Sequence, residues 1–314
     1  VRCGSVQHSP RRRRRLTSIP RDWAPRACDA RTGDCMEAIG RADGNRYSSK
    51  ANAENLATRE TVEISYRVPD ETRAGLALTF RQSFITTFLF YQFLSDLGNE
   101  AVDFFAKLER SEGSAAESFQ GVTELMGGIE VQIRQKGEWT TVGELREAGP
   151  LADDTRVVVL PDEVRGEVDL RLKMAQGNWR LDSARLVELG PSTELTRLEL
   201  QSVRYDGEHP DAAPDAPAAE IRSESGKLVT GPGDAYEFTF GLPDDPGHYE
   251  YFLKSRGYYL EWMRQSWLEE KNPARALEMI LWPSRALRTL APAFKEREPE
   301  IEQMFWESRY VPSK

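Results

Sequence analysis

Residues 167–189 read EVDLRLKMAQGNWRLDSARLVEL. Val168, Leu170, Leu172 and Met174 alternate with Asp169, Arg171 and Lys173, the two-residue period of a strand with one buried face. Gly177-Asn178 marks a turn. A second run follows, with Trp179, Leu181, Leu186 and Leu189 as its buried positions. Similar units stand on both sides. Residues 61–66 (TVEISY) and 76–80 alternate around a turn at Pro69-Asp70. Residues 129–134 (IEVQIR) alternate, Gly137 turns the chain into 139–142, and 156–160 form a short buried run stopped by Pro161. One more strand is expected within 194–203. Short strands about ten residues apart, separated by Gly and Pro turns, predict an antiparallel β-sandwich in a mainly β, α+β chain.

The period changes at Ser83. Phe84, Phe88 and Tyr91 recur at helical spacing, and Ile85, Leu89, Phe93 and Leu97 widen the apolar stripe nearly all round. Gly98-Asn99 ends this helix, and a second with Ala101, Phe104, Phe105 and Leu108 inward makes a helical hairpin inserted over 83–110. Such a helix needs cover on most faces, or offers an oligomer interface. Residues 206–220 (DGEHPDAAPDAPAAE) hold three Pro, five Ala and no large apolar residue, so 206–225 reads as a linker. Residues 236–240 and 249–253 resemble a hairpin around Pro243 to Gly247. The remainder is helical, with Asn272-Pro273 as cap and first position and Ile301, Met304 and Phe305 in the last helix. The expected organisation is an irregular arm (1–55), a sandwich with its insert (56–205), the linker, and a hairpin with a helical subdomain (226–314).

The chain's formal charge is −9 over 314 residues. Residues 1–31 carry nine Arg against two acids, whereas 32–314 hold 33 basic and 49 acidic residues. The run Arg11 to Arg15 would bind phosphates without sequence choice, but it has no interleaved aromatics and an acidic body behind it. Nucleic acid is therefore not an expected partner. Leu16-Thr17-Ser18-Ile19-Pro20 is too short for the apolar core of an export signal. The most apolar stretch, 84–97, is 14 residues long and too short to span a bilayer, so it reads as a buried helix. Cys28 and Cys35, with six residues between them, either bridge in an oxidising compartment or remain two thiols. Structural zinc lacks the ligands it needs.

Three histidines limit the chemistry further. His8 lies in the Arg-rich arm and His209 in the linker, leaving His248 beside the Pro246-Gly247 turn. No nucleophile elbow, paired-His metal motif or phosphate-binding glycine loop is present, so no catalytic residue, metal or cofactor is assigned. His209-Pro210-Asp211 matches the J-domain tripeptide, but its Pro-rich setting assigns it to chance. The acid pairs Asp153-Asp154, Asp162-Glu163 and Asp244-Asp245 read as solvated turns. Aromatics are concentrated instead: Tyr258, Tyr259, Trp262 and Trp267 fall within ten residues, and Trp282 and Trp306 follow. They pack a helical subdomain or form a stacking surface for a sugar or partner.

The run from Trp139 through Gly149-Pro150-Leu151-Ala152, Val157 to Pro161, Val168-Asp169-Leu170-Arg171-Leu172 and Gly177-Asn178-Trp179-Arg180-Leu181-Asp182 resembles a β-domain of uncharacterised bacterial exported lipoproteins. That domain is similar to galactose-binding-like jelly rolls. The block Ser255 to Arg264 (SRGYYLEWMR) resembles a recurring segment of the same proteins. The resemblance implies a jelly-roll-like sandwich in the cell envelope or periplasm and no assigned catalytic residues; a cytoplasmic site is the alternative. The expected function is non-catalytic, envelope-associated binding of a carbohydrate or another envelope protein. Tyr258, Tyr259, Trp262, Trp267, Trp179 and Arg180 are the candidate contacts. The alternatives are a carboxylate-dependent enzyme acting on saccharides and a structural assembly component.

Overall fold

The computed structural model describes residues 6–10, 21–70, 72–104, 120–146, 149–191, 195–207, 221, 228, 230–231, 233–244, 249–253 and 269–307. The strands, in chain order, begin with β1 (Val6–Pro10), β2 (Asp22–Trp23), β3 (Ala27–Ala30), β4 (Gly33–Asp34), β5 (Tyr47–Ser48), β6 (Arg59–Val68), β7 (Ala74–Gln82) and β8 (Ile129–Gln135). They continue with β9 (Glu138–Leu145), β10 (Asp154–Val159), β11 (Gly166–Ala175), β12 (Trp179–Glu188), β13 (Thr196–Arg197), β14 (Leu200–Tyr205), β15 (Tyr236–Phe240) and β16 (Tyr249–Leu253). The helices are α1 (Met36–Ile39), α2 (Ile85–Leu97), α3 (Gln120–Met126), α4 (Pro273–Leu281), α5 (Pro283–Thr289) and α6 (Ala291–Glu307). Two compact units result. One comprises residues 20–190 and 263–307, the other residues 1–19, 191–262 and 308–314.

The larger unit is a mainly antiparallel β-sandwich with helices. One sheet has the order β4-β3-β6-β11-β8-β9, the other β10-β7-β12-β2, with β5 also pairing β12. The turns at Pro69-Asp70 and Gly177-Asn178 do not close hairpins. Each carries the chain from one sheet to the other, so that β6 pairs β11 over its whole length and β7 pairs β12. The alternating apolar positions explain the crossing. Val62, Ile64 and Tyr66 of β6 and Leu76, Leu78 and Phe80 of β7 are all buried in one core, which two packed sheets provide. The Tyr66 hydroxyl, pushed up by burial, donates across this core to the Ala184 carbonyl at 2.9 Å. In β12 the buried positions change phase, from Trp179 and Leu181 to Ala184 and Leu186, because the pairing with β7 shifts between Leu181 and Ser183. Asp182 is the extra residue of this bulge, and it accepts the Gly44 amide at 2.8 Å.

A second core joins the helices. Phe88, Leu89 and Phe93 of α2 pack with Met279 of α4, Leu287 of α5 and Phe294 of α6. The apolar faces of α2 are thus covered from within the same unit. Asp96, fully buried at its end, holds the start of α4: its carboxylate accepts the Arg275 guanidinium at 2.5–2.8 Å, and its carbonyl accepts the Asn272 amide at 2.9 Å. Asn272 caps α4 by accepting the Arg275 amide, with Pro273 following at the first helical position. Residues 101–104 continue helically beyond α2. The rest of the expected second arm, 105–110, lies outside the described residues.

Three expectations are corrected. Residues 1–55 are not simply an irregular arm: β2, β3, β4 and β5 extend both sheets of the sandwich, and β1 is a strand between β13 and β16. Most of these strands span two to five residues, too short for local periodicity to register. Next, β15 and β16 do not pair with each other. β15 pairs β14, and β16 pairs β1. Eight residues including two Pro separate them, which removes the tight-turn advantage of a hairpin. In the smaller unit Leu200, Val203, Ile221 and Leu228 form its own core. Finally, α4, α5 and α6 belong to the sandwich unit rather than to a subdomain shared with that supposed hairpin. Most of the proposed linker lies outside the described residues.

Cys28 in β3 and Cys35 at the start of α1 form a disulfide, with Cα atoms 5.2 Å apart and both side chains buried. It ties the β3–β4 hairpin to α1. Closing so short a loop contributes about 2.5 kcal/mol by the chain-entropy estimate. Reduction is therefore expected to lower the melting temperature of this unit by about 5–10 °C. A calorimetric scan with and without reductant checks this, and an unchanged transition would contradict it.

Candidate functional site

Among the described residues, β9 and β10 are the terminal strands of their respective sheets on one side of the sandwich. Two local features shape that side. The β8–β9 hairpin turns on Lys136 and Gly137, both at positive φ (50° and 89°), the conformation of a two-residue type I′ loop. A register shift near Val131 and Gln132 then leaves Val142 as an extra residue in β9. At Gly143 the two edges meet. A Cβ there would stand 2.7 Å from a Val158 methyl, so only glycine permits the approach.

Beyond this contact lies a shallow, open groove of about 520 Å³. Val142, Val159, Leu160 and Pro161 supply its apolar lining. Gln135, Thr140, Thr141, Arg73, Asp162 and Glu163 are the polar residues along it. Thr141 accepts the Gln132 amide at 3.3 Å. Arg73 faces Asp162 at 3.6 Å, with Asp162 80% exposed. The Leu160 amide donates to Ala74 and the Val164 amide to Pro161, which fixes the turn carrying both acids. Trp139, next to Thr140 in β9, holds the Arg171 guanidinium 4.4 Å from its ring centre.

Of the groove residues, only the Asp162-Glu163 pair stood out in the sequence. Edges separated in the chain meet only in the fold, so no short motif announces the remainder. Trp179 and Arg180, neighbours in the sequence, face opposite sides of β12. Trp179 is 1% exposed, with its ring edge-on to Phe80 at 5.6 Å. Arg180 is in register with Arg81 of β7 on one side and Ser48 of β5 on the other. Burial lowers the Arg180 pKa, and Arg81 adds to this while Glu302 opposes it. Its guanidinium donates to the Gly177 carbonyl at 3.2 Å. Arg81 is paired with Glu302 and also donates to the Pro150 carbonyl.

Just before Arg180, three buried polar atoms have no hydrogen-bond partner among the described residues: Gln176 Oε1, Asn178 Nδ2 and Trp179 Nε1. Close by, the Glu60 carboxylate accepts the Tyr47 and Ser49 hydroxyls, and Ser49 accepts the Gly177 amide at 2.9 Å. Tyr258, Tyr259, Trp262, Trp267 and His248 lie outside the described residues. Among the described residues, no group of three His, Cys, Asp or Glu is placed to hold a metal ion, and no helix is long and apolar enough to cross a membrane. The carboxylates there with a perturbed pKa, Asp22, Glu100 and Glu144, are lowered by hydrogen bonds to Arg185, Lys271 and Arg146. No protein-family model matches the chain, and no curated protein matches it.

Proposed function

We propose that this chain is a non-catalytic, envelope-associated binding protein that takes a carbohydrate in the groove between β9 and β10. The observation that carries the reading is the grouping of six polar residues with Val142, Val159, Leu160 and Pro161 along one groove. Saccharide hydroxyls both donate and accept, and they match an amide and a threonine hydroxyl as well as charged groups. The buried Cys28–Cys35 disulfide supports an oxidising compartment such as the periplasm. The sandwich is also the architecture from which galactose-binding-like jelly rolls are built.

The test uses a panel of neutral hexose oligosaccharides and two near-isosteric variants, Thr140→Val and Gln135→Leu. Each is expected to weaken the best binder about tenfold, the worth of one neutral hydrogen bond, with folding stability retained. Undiminished affinity in both variants would remove the groove from the account.

A carboxylate enzyme is the second reading, favoured by Asp162 and Glu163 at the same groove. It requires reducing ends to be released from a bound saccharide, and Asp162→Asn or Glu163→Gln to abolish that release. The binding reading expects no release by the unaltered chain. Asp162, largely exposed and facing Arg73, lies in contact with water rather than in the dry pocket a general acid uses.

A further inference from the structure

We propose that the outer side of α4 and α5 docks peripherally on an anionic lipid surface, with Leu277, Leu281 and Trp282 entering the interfacial layer and Arg285 and Arg288 meeting lipid phosphates. Ala276 and Met279 turn α4 toward the helical core. Leu277 and Leu281 are one turn apart and stand beside that buried face. Pro273 and Ala274 in the first turn are exposed as well, so an apolar strip runs along one side of the helix. Trp282 follows at the junction of α4 and α5. Leu277, Leu281 and Trp282 are 49–56% exposed. Large apolar residues scattered singly over a surface are ordinary, whereas three within a span of six residues form a patch.

Charge selects the partner. In a chain of formal charge −9, α4 and α5 together carry three Arg and a single acid, Glu278. Arg275 is taken up by the buried Asp96. Glu278 is half-buried and pairs at 2.8 Å with the well-exposed Arg285, which brings that guanidinium beside the strip. Arg288, one turn further along α5, is exposed and has no carboxylate within ion-pair distance among the described residues. Acids on the adjoining segments are mostly engaged. Glu100 pairs with Lys271, Glu270 accepts the Ser95 hydroxyl, and Glu124 of α3 accepts the Gln120 amide. Glu269, Asp103 and Glu296 are exposed, and all three lie outside α4 and α5. The charges that these two helices leave at the surface are thus Arg285 and Arg288. Leu and Trp beside Arg is the composition of a helix face that lies in a membrane interface, with the indole at headgroup depth and the guanidinium on phosphate. A second copy of the chain fits less well. A two-fold contact would bring the arginines of both copies together, and three half-exposed side chains offer far less than the roughly 800 Å² per partner of a stable interface. The inference does not depend on saccharide binding in the β9–β10 groove.

The experiment sediments the full chain with extruded vesicles of phosphatidylglycerol and phosphatidylcholine in equal parts, and separately with vesicles of phosphatidylcholine alone. Saturable binding is expected on the first, and binding at least about tenfold weaker on the second. Lipids brominated on their acyl chains should quench part of the tryptophan emission, and that part should vanish in Trp282→Phe. Leu281→Gln should weaken binding to the anionic vesicles about fivefold or more through lost apolar contact. Arg288→Gln should weaken it about fivefold, the worth of one basic side chain at an anionic surface. Both side chains are exposed, so the melting temperature should stay unchanged. Arg288→Gln decides the matter by itself if Leu281→Gln proves unstable. Equal binding on the two kinds of vesicle, binding undiminished in both variants, or a dimer of the lipid-free chain that Leu281→Gln disrupts would overturn the proposal.

Discussion

Replacing Trp179 by alanine is expected to lower the stability of the sandwich by about 3–5 kcal/mol, the usual cost of emptying an aromatic site in a closed core. The ring is 1% exposed, meets Phe80 edge-on and belongs to β12, which pairs with β7 on one side and with β2 and β5 on the other. Few neighbours can move to fill the space. Trp179→Phe should cost only about 1 kcal/mol, because it keeps most of the packing and removes an indole N–H that lacks an acceptor. Denaturant titration of both variants checks the pair of values. Saccharide affinity is expected to be unchanged in Trp179→Phe, since Trp179 does not line the groove. A loss below 1 kcal/mol for the alanine variant would contradict the placement of this ring in the core.

The second large effect is expected at Gly177. Its φ of +79° disfavours any L side chain, and a Cβ there would lie 2.4 Å from the Ala51 amide nitrogen and 2.6 Å from its Cα. Both are backbone atoms of the segment that follows β5, whose Ala51 amide is held by Glu298 at 2.7 Å. The clash therefore cannot be relieved by a side-chain rotation. Gly177→Ala should destabilise by about 3 kcal/mol or more, combining left-handed strain with displaced backbone. Gly166 supplies the control. Its φ is +68° but nothing lies within 4 Å of the Cβ position, so Gly166→Ala should cost only about 1–2 kcal/mol. Equal losses at the two positions would show that close approach at Gly177 is not what requires glycine there.

The two turns also mark how far local pattern reaches. The alternations in 61–66 and 167–174 identified β6 and β11 and their buried faces, because a half-buried strand must repeat every two residues. Whether a turn closes a hairpin or crosses between sheets is not written in those alternations. Both arrangements place Val168 and Trp179 in a core. The Asp182 bulge left only an indirect trace, in the uneven spacing from Leu181 to Leu186. Pairings distant in the chain were not visible at all. Val6–Pro10 carries no strand period, yet it is paired on both sides. The supposed hairpin at 236–253 followed from nearness in sequence, whereas sheet partners are chosen by fit of faces, as Val203 opposite Phe238 illustrates.

The candidate site was less legible than the fold. Asp162 and Glu163 were noticed as an acid pair, but Gln135, Thr140 and Arg73 acquire meaning only when the two terminal strands come together at Gly143. Arg180 was singled out beside an aromatic residue. Its distinguishing property proves to be a half-buried charge next to a second arginine, with Trp179 facing the other way.

The most direct test of the binding account is a chemical-shift map of the ¹⁵N-labelled full chain titrated with neutral hexose oligosaccharides. Saturable changes are expected in the amides of Gln135, Thr140, Thr141, Leu160 and Glu163, with the Trp179 amide unmoved. Saturable changes clustered elsewhere, or no response in these amides to any saccharide of the panel, would contradict the account.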